Sequence, residues 1–311
     1  MSFRKLSNAS AVDLLRYHGS LLADKVRTQT YRDAIESTVA KNDVVLDIGC
    51  GSGILSFFAA RAGAKRVYAI DEGPVIELAR TLAKDNGLAD RIVFINAVSL
   101  DATIDEKIDV IVTETMGNTG LDERILSSVD DARRRWLRDG GAIIPQTIDV
   151  VVAPVDMLHD TFWLAKAYDV DFARVREFAM NMFHPLDVAE ESFVAEPAVA
   201  AHVDLRESND GAVHMTARVH ATRDATITGI GVWFGAQLTR EFELTNQPPN
   251  VCPSWKQSFF PIASRMRVER GDEIAIDMQT FDGAEWKWSV ATSAARAEQS
   301  TMAAFPLITP P

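Results

Sequence analysis

The sequence predicts an α/β protein in which a Rossmann-like domain is followed by an antiparallel β-barrel domain that carries a helical arm. Between residues 44 and 145, apolar runs typical of strands alternate with helical stretches, which favours a parallel sheet covered on both faces. From about residue 188, short strand-like runs are separated by turn signals, as in antiparallel barrels and sandwiches. We therefore assign residues 1–35 to an N-terminal helical segment, 36–146 to the α/β domain and 147–311 to the β domain.

The elements of the first two segments follow from the spacing of apolar residues. Leu14, Leu21 and Tyr31 are among those that recur at helical spacing over 11–38. The predicted strands are 44–49, 66–71, 91–97, 109–114 and 141–145, and the predicted helices between them are 54–63, 74–87 and 123–137. Gly87 ends the second of these helices, as expected of a residue just past a helix C-cap.

The β domain begins with an alternating strand at 147–155. Residues 156–182 carry many large apolar side chains at helical spacing, and we assign 156–187 as a helical dimerisation arm. This apolar stripe exceeds what one helix pair buries. It predicts a homodimer in which the arm docks on a neighbour's α/β domain, with a lid inside one chain as the alternative.

Composition narrows the classes of function. The 311 residues are 47% hydrophobic and 24% charged, and the formal net charge of −12 argues against a nucleic-acid partner. A negative surface attracts a cationic substrate, although many cytoplasmic proteins are acidic without such a role. The sequence has no apolar run long enough for a membrane span and no secretory signal, and Cys50 and Cys252 do not suggest a disulfide, so we expect a cytoplasmic protein.

A glycine-rich turn follows the first strand. Gly49, Gly51 and Gly53 let the backbone turn sharply and approach a ligand, and Asp71 ends the next strand, where a carboxylate accepts ribose hydroxyls. The G-x-G-x-G spacing, with Asp47 two residues earlier, favours S-adenosylmethionine over NAD. An acid at that place repels a pyrophosphate and suits the ammonium group of a methionine moiety. NAD binding and a tight turn without a ligand are the alternatives.

Glu114 and Glu123 flank an eight-residue polar loop at the C-terminal edge of the predicted sheet, where open α/β sheets bind ligands. A guanidinium acceptor is always charged and must approach a cationic sulfonium. Two unit charges 4 Å apart repel by about 4 kcal/mol at an effective dielectric of 20. Paired carboxylates offset this repulsion and bind the planar N–H groups, so the pair predicts a guanidinium acceptor. In isolation, Glu114 would be explained as a solvated strand end and Glu123 as an ordinary acid in the first turn of a helix.

The sequence resembles the protein arginine methyltransferase family from about residue 17 to the C-terminus. The resemblance is carried by HGSLLADKVRTQTYRDAI (18–35), the cofactor motif at 45–71, ETMGNTGLDE (114–123), the arm at 156–187 and PSWKQSFF (253–260). It implies the family's cofactor, S-adenosyl-L-methionine, and no metal site. It also implies a boundary between the two domains at Pro145.

The resemblance implies roles for individual residues. Arg27 would pair with the carboxylate of S-adenosylmethionine, Asp71 would hold the ribose hydroxyls, and Ser99 lies near the expected adenine contact. Glu114 and Glu123 would clamp the guanidinium. The expected acceptor site contains His18, Asp24, Met116, Ser254 and Trp255.

Several positions depart from the family's pattern. Thr115 and Asn118 stand where the family often has aromatic residues. Ser254 stands where it has a histidine that pairs with the acid matched by Asp24, so an Asp–His proton relay is missing. Proton removal would then fall to Glu123 or to solvent. The aromatic cluster expected upstream of residue 18 is also absent from the sequence.

These observations predict an S-adenosylmethionine-dependent arginine N-methyltransferase. The altered acceptor positions favour free L-arginine or another small guanidine, with arginine in a peptide as the alternative. A methyltransferase for a different small nucleophile and a non-catalytic cofactor-binding scaffold are the other hypotheses. The retained Glu114 and Glu123 oppose the former, and the intact glycine loop opposes the latter.

Overall fold

Two helices precede the first strand. The computed structural model describes residues 8–157 and 166–304. Helix α1 (Asn8–Ala23) and helix α2 (Lys25–Thr38) are separated at Asp24, so the helical stretch predicted over 11–38 is two helices. Asp24 Oδ1 accepts a hydrogen bond from the Arg27 N–H at 3.0 Å, and this N-cap starts the second helix.

The α/β domain contains the predicted parallel sheet. Its elements are β1 (Val44–Ile48), α3 (Ile54–Ala62), β2 (Arg66–Ile70), α4 (Ile76–Asp85), β3 (Ile92–Ile95), β4 (Ile108–Thr113), α5 (Ile125–Arg135) and β5 (Leu137–Ile144). The strand order is β3-β2-β1-β4-β5, and every neighbouring pair is parallel. The order reverses between β1 and β4, and in such sheets a ligand crevice lies beyond the carboxyl ends of those two strands.

The predicted arm is only partly helical. Strand β6 (Thr147–Val155) is followed, after residues 158–165 that lie outside the described chain, by the hairpin strands β7 (Lys166–Ala167) and β8 (Val170–Asp171) and by helix α6 (Ala173–Met180). Tyr168 and Asp169 have φ values of 50° and 63°, the left-handed pair that a two-residue hairpin turn favours. The prediction of helix is therefore wrong at this hairpin.

The remaining strands complete two antiparallel sheets. These strands are β9 (His184–Leu186), β10 (Ala198–Asp204), β11 (Ala212–His220), β12 (Ala225–Gln237), β13 (Glu243–Thr245), β14 (Gln257–Val268), β15 (Glu273–Phe281), β16 (Glu285–Ala291) and β17 (Arg296–Ser300), and the short helix α7 (Thr301–Ala304) follows. One sheet has the order β10-β6-β12-β14-β9, with β13 paired to β12. The other has the order β11-β15-β16-β17.

The antiparallel β domain is confirmed, but it is not a closed barrel, because the described strands after β5 form two large sheets and the separate β7–β8 hairpin. The sheets pack through aromatic residues. The rings of Phe260 and Trp288 lie 5.2 Å apart, and Trp288 Nε1–H donates to the Pro261 carbonyl at 2.7 Å. Alternation of apolar and polar residues is the same in a barrel and in two packed sheets, so the sequence pattern did not distinguish them.

One apolar core runs through both domains, joining the parallel sheet to the antiparallel sheets. Among the described helices, none is long and apolar enough to cross a membrane.

Candidate active site

A cleft lies beyond the carboxyl ends of β1 and β4, at the reversal of strand order. It consists of two adjoining cavities of about 200 and 480 Å³ that share Gly49, Asp71, Thr115 and Glu123. The smaller cavity reaches towards α1 and the segment that contains Trp255. The larger cavity reaches towards the loop that contains Ser99. The cleft can therefore hold an elongated ligand with its middle at the shared residues.

The glycine loop has the backbone shape that the sequence predicts. Gly49 and Gly51 have φ values of 71° and 52°, a region that side chains disfavour. A Cβ atom at Gly49 would lie 2.5 Å from Thr115 Cγ2, and one at Gly51 would lie 3.0 Å from His18 Cε1. Glycine at both positions leaves the floor of the cleft open.

Asp71 lies at the junction of the two cavities. Its Oδ2 accepts a hydrogen bond from the Gly51 N–H at 2.8 Å, and its Oδ1 accepts one from the Gly73 N–H at 2.6 Å. Each carboxylate oxygen has a second lone pair, so the group can also accept bonds from two ribose hydroxyls. The predicted contact of Asp71 with the ribose stays a prediction.

Asp47 lies beneath the glycine loop and lines neither cavity. Its Oδ2 accepts a hydrogen bond from Ser56 Oγ at 2.6 Å, while its Oδ1 has no partner among the described residues. Burial raises the pKa of Asp47 to about 7. Asp47 is fully buried, so the structure does not bring it to the cleft, and its predicted contact with the ammonium group of the cofactor stays a prediction.

Ser99 begins a short 3₁₀ turn (Ser99–Asp101) and lines the larger cavity. Its carbonyl accepts a hydrogen bond from Arg135 Nη2 at 2.9 Å, which fixes the turn against the end of α5. The structure thus places Ser99 in the part of the cleft farther from Trp255. Its predicted contact with adenine stays a prediction.

Arg27 extends from α2 into the smaller cavity and forms an ion pair with Glu114 Oε2. Its Nη1–H donates to the Leu21 carbonyl at 3.3 Å, and its guanidinium carbon lies 5.5 Å from the centre of the Trp255 ring. Both paired side chains are 7% exposed, so the pair is well shielded from solvent. A planar guanidinium therefore already lies between a carboxylate and an aromatic ring in this cavity.

Glu123 lines both cavities and faces the same space as Glu114. Glu123 and Arg124 have φ values of 56° and 60°, which places two consecutive non-glycine residues in the left-handed region. Burial raises the pKa of Glu123, and the negative charges of Asp122 and Asp71 raise it further while Arg27 opposes them. The two glutamates that flank the loop are therefore brought to one pocket, as the sequence predicts.

The loop between the two glutamates is ordered by Asp122. Its carboxylate accepts hydrogen bonds from the Asn118 N–H at 2.9 Å and from Thr119 Oγ1 at 2.8 Å. Gly117 (φ 57°) packs so closely on Asp122 that a side chain would overlap it. Asp122 thus closes the loop on itself and leaves Glu123 to face the cleft.

The predicted acceptor residues are divided between the cavity and the core. His18, Ser254 and Trp255 line the smaller cavity. Asp24 is buried outside it, where its Oδ2 accepts hydrogen bonds from the Ser254 N–H at 3.0 Å and from Ser254 Oγ at 2.7 Å. Met116 is fully buried and lines neither cavity, so the structure does not bring it to the acceptor site.

Two features of the cleft were not predicted from the sequence: the position of Tyr17 and the contacts of Asn118. Tyr17 lines the smaller cavity beside His18, with 5.3 Å between their ring centroids. Asn118 joins the glutamate loop to the second domain, because its Oδ1 accepts a hydrogen bond from the Lys256 N–H at 2.7 Å and its carbonyl accepts one from Asn246 Nδ2 at 2.9 Å. No short-range pattern signals a contact between positions 128 or 138 residues apart.

The cleft fits S-adenosylmethionine. The glycine loop leaves room for the backbone to approach a ligand, and Asp71 offers two acceptor oxygens at the middle of the cleft. The parallel sheet, its strand order and this cofactor site define an S-adenosylmethionine-dependent methyltransferase.

Comparisons with known proteins specify the family. A family profile described as "Ribosomal protein L11 methyltransferase (PrmA)" matches residues 27–146, and one described as "Arginine methyltransferase oligomerization subdomain" matches residues 149–289. "Protein arginine N-methyltransferase 6" of Xenopus tropicalis is 32% identical over 284 residues, which cover 84% of this chain and 82% of that protein. The chain therefore belongs to the protein arginine methyltransferase family.

Further relatives and solved structures agree. "Probable protein arginine N-methyltransferase 6" of Arabidopsis thaliana is 33% identical, with 71% of this chain covered, and the match spans about half (54%) of that longer protein. The Trypanosoma brucei PRMT1 enzyme–prozyme heterotetrameric complex with AdoHcy has a TM-score of 0.80 at 25% identity, covering 91% of this chain and 96% of that one. Arabidopsis thaliana protein arginine methyltransferase 10, at 23% identity and a TM-score of 0.78, shares the fold, with 93% and 99% covered.

Proposed function

We propose that the protein transfers the methyl group of S-adenosylmethionine to a terminal guanidino nitrogen of arginine in a peptide or protein. The observation that carries this proposal is the convergence of Glu114 and Glu123 on one cavity beside the cofactor loop and Trp255. The guanidinium of Arg27, which lies against Glu114 in that cavity, supports it because it has the shape and charge of the proposed acceptor group.

A peptide acceptor replaces the free arginine that the sequence alone favoured. The relatives that match along most of their length are named protein arginine N-methyltransferases, and this supports an acceptor within a polypeptide. The replacement of the family's histidine by Ser254 is also weaker evidence for a free-arginine acceptor than the sequence alone indicated. Ser254 still bonds to Asp24, so the segment before Trp255 keeps a tie to the start of α2.

In the proposed reaction the cofactor, when bound, supplies a methyl group on a cationic sulfonium. Glu114 and Glu123 bind the N–H groups of the acceptor and offset the repulsion between two cations, which is about 4 kcal/mol at 4 Å and an effective dielectric of 20. The Asp24 carboxylate accepts hydrogen bonds from Ser254 and from the Arg27 amide, so among the described residues no titratable side chain bonds to it in place of the family's histidine. Glu123, whose pKa is raised, is the group we assign to accept the proton released from the methylated nitrogen.

We also propose that the protein acts as a homodimer joined by the arm. Tyr168, Val170, Phe172 and Val175 lie in the described part of the arm and are all exposed large apolar residues. Such a group of exposed apolar residues within one short segment favours burial against a partner. The match to an oligomerization subdomain over 149–289 supports the same proposal.

The acceptor class is tested by mass analysis after incubation with isotopically labelled cofactor. The acceptors are an Arg-Gly-rich peptide, the same peptide with every arginine replaced by lysine, and free L-arginine. We expect label on the arginine peptide and none on the lysine peptide. Label on free arginine alone would contradict a peptide acceptor, and binding of the cofactor without transfer to any acceptor would favour the scaffold hypothesis.

A further inference from the structure

Helix α5 begins at Ile125, two residues after Glu123, and no side chain of the preceding residues caps it among those described. The Asp122 carbonyl accepts a hydrogen bond from the Ile125 N–H at 3.3 Å, but the amides that an N-cap side chain would bind lie further along the helix. The N-cap position is Arg124, which is left-handed at φ 60° and makes no capping bond with its side chain among the described residues. Asp122 is used inside the glutamate loop, where it bonds to Asn118 and Thr119. The first amides of a helix have no partner within the helix and need one from elsewhere.

The missing cap comes from the second domain. Asp282, in the turn between β15 and β16, accepts a hydrogen bond at Oδ1 from the Ser127 N–H at 3.2 Å. Its Oδ2 accepts one from Ser127 Oγ at 2.5 Å. Ser127 is the third residue of α5, which is a position that N-cap side chains normally serve. A carboxylate in a turn 155 residues away along the chain therefore caps α5 in place of a local side chain.

The turn that carries Asp282 is held rigidly against the glutamate loop. Asp282 has φ 54°, and its N–H donates to the Gly211 carbonyl at 2.7 Å. A Cβ atom at Gly283 would overlap the backbone of Leu121, so the turn and the loop touch through backbone atoms. The buried Trp286 ring donates from Nε1 to the Gly283 carbonyl at 2.8 Å. The position of Asp282 is thus fixed relative to the loop and not only to the helix.

We propose that Asp282 is a positioning residue that keeps the carboxylate of Glu123 in the cleft by capping α5 in its place. A carboxylate beside an uncapped helix start is attracted to the free amides and to the positive end of the helix dipole. Glu123 is the acid nearest to that start along the chain, and the carboxylate of the preceding Asp122 is already occupied. Because Asp282 accepts the hydrogen bonds from Ser127, the Glu123 carboxylate is left to bind a cation in the cleft. This inference rests on the proposed clamp role of Glu123.

The test compares methyl transfer by Asp282→Ala, Asp282→Asn and the control Asp272→Ala. Asp272 is a turn carboxylate at the opposite end of β15, where it bonds to the Glu269 N–H at 2.9 Å. We expect kcat of Asp282→Ala to fall by about 10-fold to 100-fold because the clamp is misplaced. Asparagine caps helices as well as aspartate, so Asp282→Asn should keep more than about half of kcat. The cofactor Kd should stay within about twofold in all three, since only the clamp is misplaced.

A purely structural role for Asp282 predicts a different result. Asp282→Ala would then lose thermal stability and keep its kcat, as we expect of Asp272→Ala, and this result would overturn the proposal. If Asp282→Ala does not fold, Asp282→Glu keeps the charge but displaces it by one methylene, and an unchanged kcat in that variant would also overturn it. A crystal structure of either variant tests the inference without an activity measurement. A Glu123 carboxylate that still lies in the cleft would contradict it. Failure of the proposed function would instead appear in the parent protein, as absence of transfer to any arginine acceptor.

Discussion

Arg27 lies between Glu114 and Trp255, where an acceptor guanidinium would also need to lie. The resemblance implies that Arg27 binds the carboxylate of the cofactor. This role stays a prediction, and it is open to a direct test by substitution.

The first prediction concerns Arg27→Ala. We expect cofactor affinity to fall by about 10-fold to 100-fold, since a hydrogen bond to a charged group contributes roughly 1.5–3 kcal/mol. Calorimetric titration with S-adenosylmethionine measures this. Arg32→Ala is the matched control, because Arg32 lies on the same helix and pairs with Glu36 at the surface. Equal affinity in the two variants would rule out the predicted contact.

Glu123→Gln tests the clamp directly. The amide keeps the shape of the side chain and removes the charge, so we expect kcat to fall by about 100-fold or more, as for loss of a transition-state contact of roughly 3 kcal/mol. Steady-state methylation of an arginine peptide measures the effect. Glu77→Gln, an exposed change on α4, should leave kcat unchanged. Full activity of Glu123→Gln would mean that another nucleophile is the acceptor.

The pKa of Glu123 also predicts a pH dependence. Burial and the charges of Asp122 and Asp71 raise this pKa, so the protonated form persists to a higher pH than in an ordinary glutamate, which titrates near 4.3. Only the ionised form attracts a guanidinium, so kcat/KM should fall as pH drops through the raised pKa. For stability the sign is opposite, because a raised carboxyl pKa stabilises the fold at low pH and this contribution is lost as pH rises. An acid limb of kcat/KM at the ordinary value would contradict the assignment.

At the scale of elements, the link between α1, α2 and the segment before Trp255 depends on Asp24 and Ser254. We predict that Ser254→Ala, which removes one hydroxyl-to-carboxylate bond, lowers the free energy of unfolding by about 1–2 kcal/mol. It should also raise KM for the acceptor more than it changes kcat. Denaturant unfolding and steady-state kinetics measure the two effects. The control is Ser20→Ala, which removes an exposed hydroxyl bond on α1, and identical results for both serines would refute the role of this tie.

The elements that the sequence predicted well are those with a strong local signal. Strand β1 is an apolar run that ends in the glycine loop, and both its type and its position are confirmed. Strand β5 begins at Leu137, four residues before the predicted start at 141, because it is an edge strand whose first half is polar and exposed. The β7–β8 hairpin was predicted as helix, since large apolar residues fit both structures when the segment is short.

At the scale of the whole molecule, the residues of the candidate site also divide into those with a local sequence signal and those placed by contacts between distant parts of the chain. Gly49, Gly51 and the two glutamates were identified because each lies within a short motif at a strand end. The contacts of Asn118 with Lys256 and of Asp282 with Ser127 join distant parts of the chain. Such contacts depend on how the two domains pack, which spacing along one sequence does not encode. Met116 was misplaced for the same reason, because its motif position did not show that it faces the core.

The last prediction concerns the assembly. Val175 on α6 is 44% exposed and lies with Tyr168, Val170 and Phe172 on the described part of the arm. If this surface is buried in a homodimer, Val175→Glu places an unpaired charge in the interface, and we expect the dimer Kd to rise by about 100-fold or more. The matched control is Val199→Glu, on β10, where the valine is 57% exposed and outside the arm. Sedimentation velocity should find the parent and the control as dimers at micromolar concentration and the arm variant as a monomer. If the parent protein sediments as a monomer at that concentration, the homodimer is excluded and the arm is better explained as a lid within one chain.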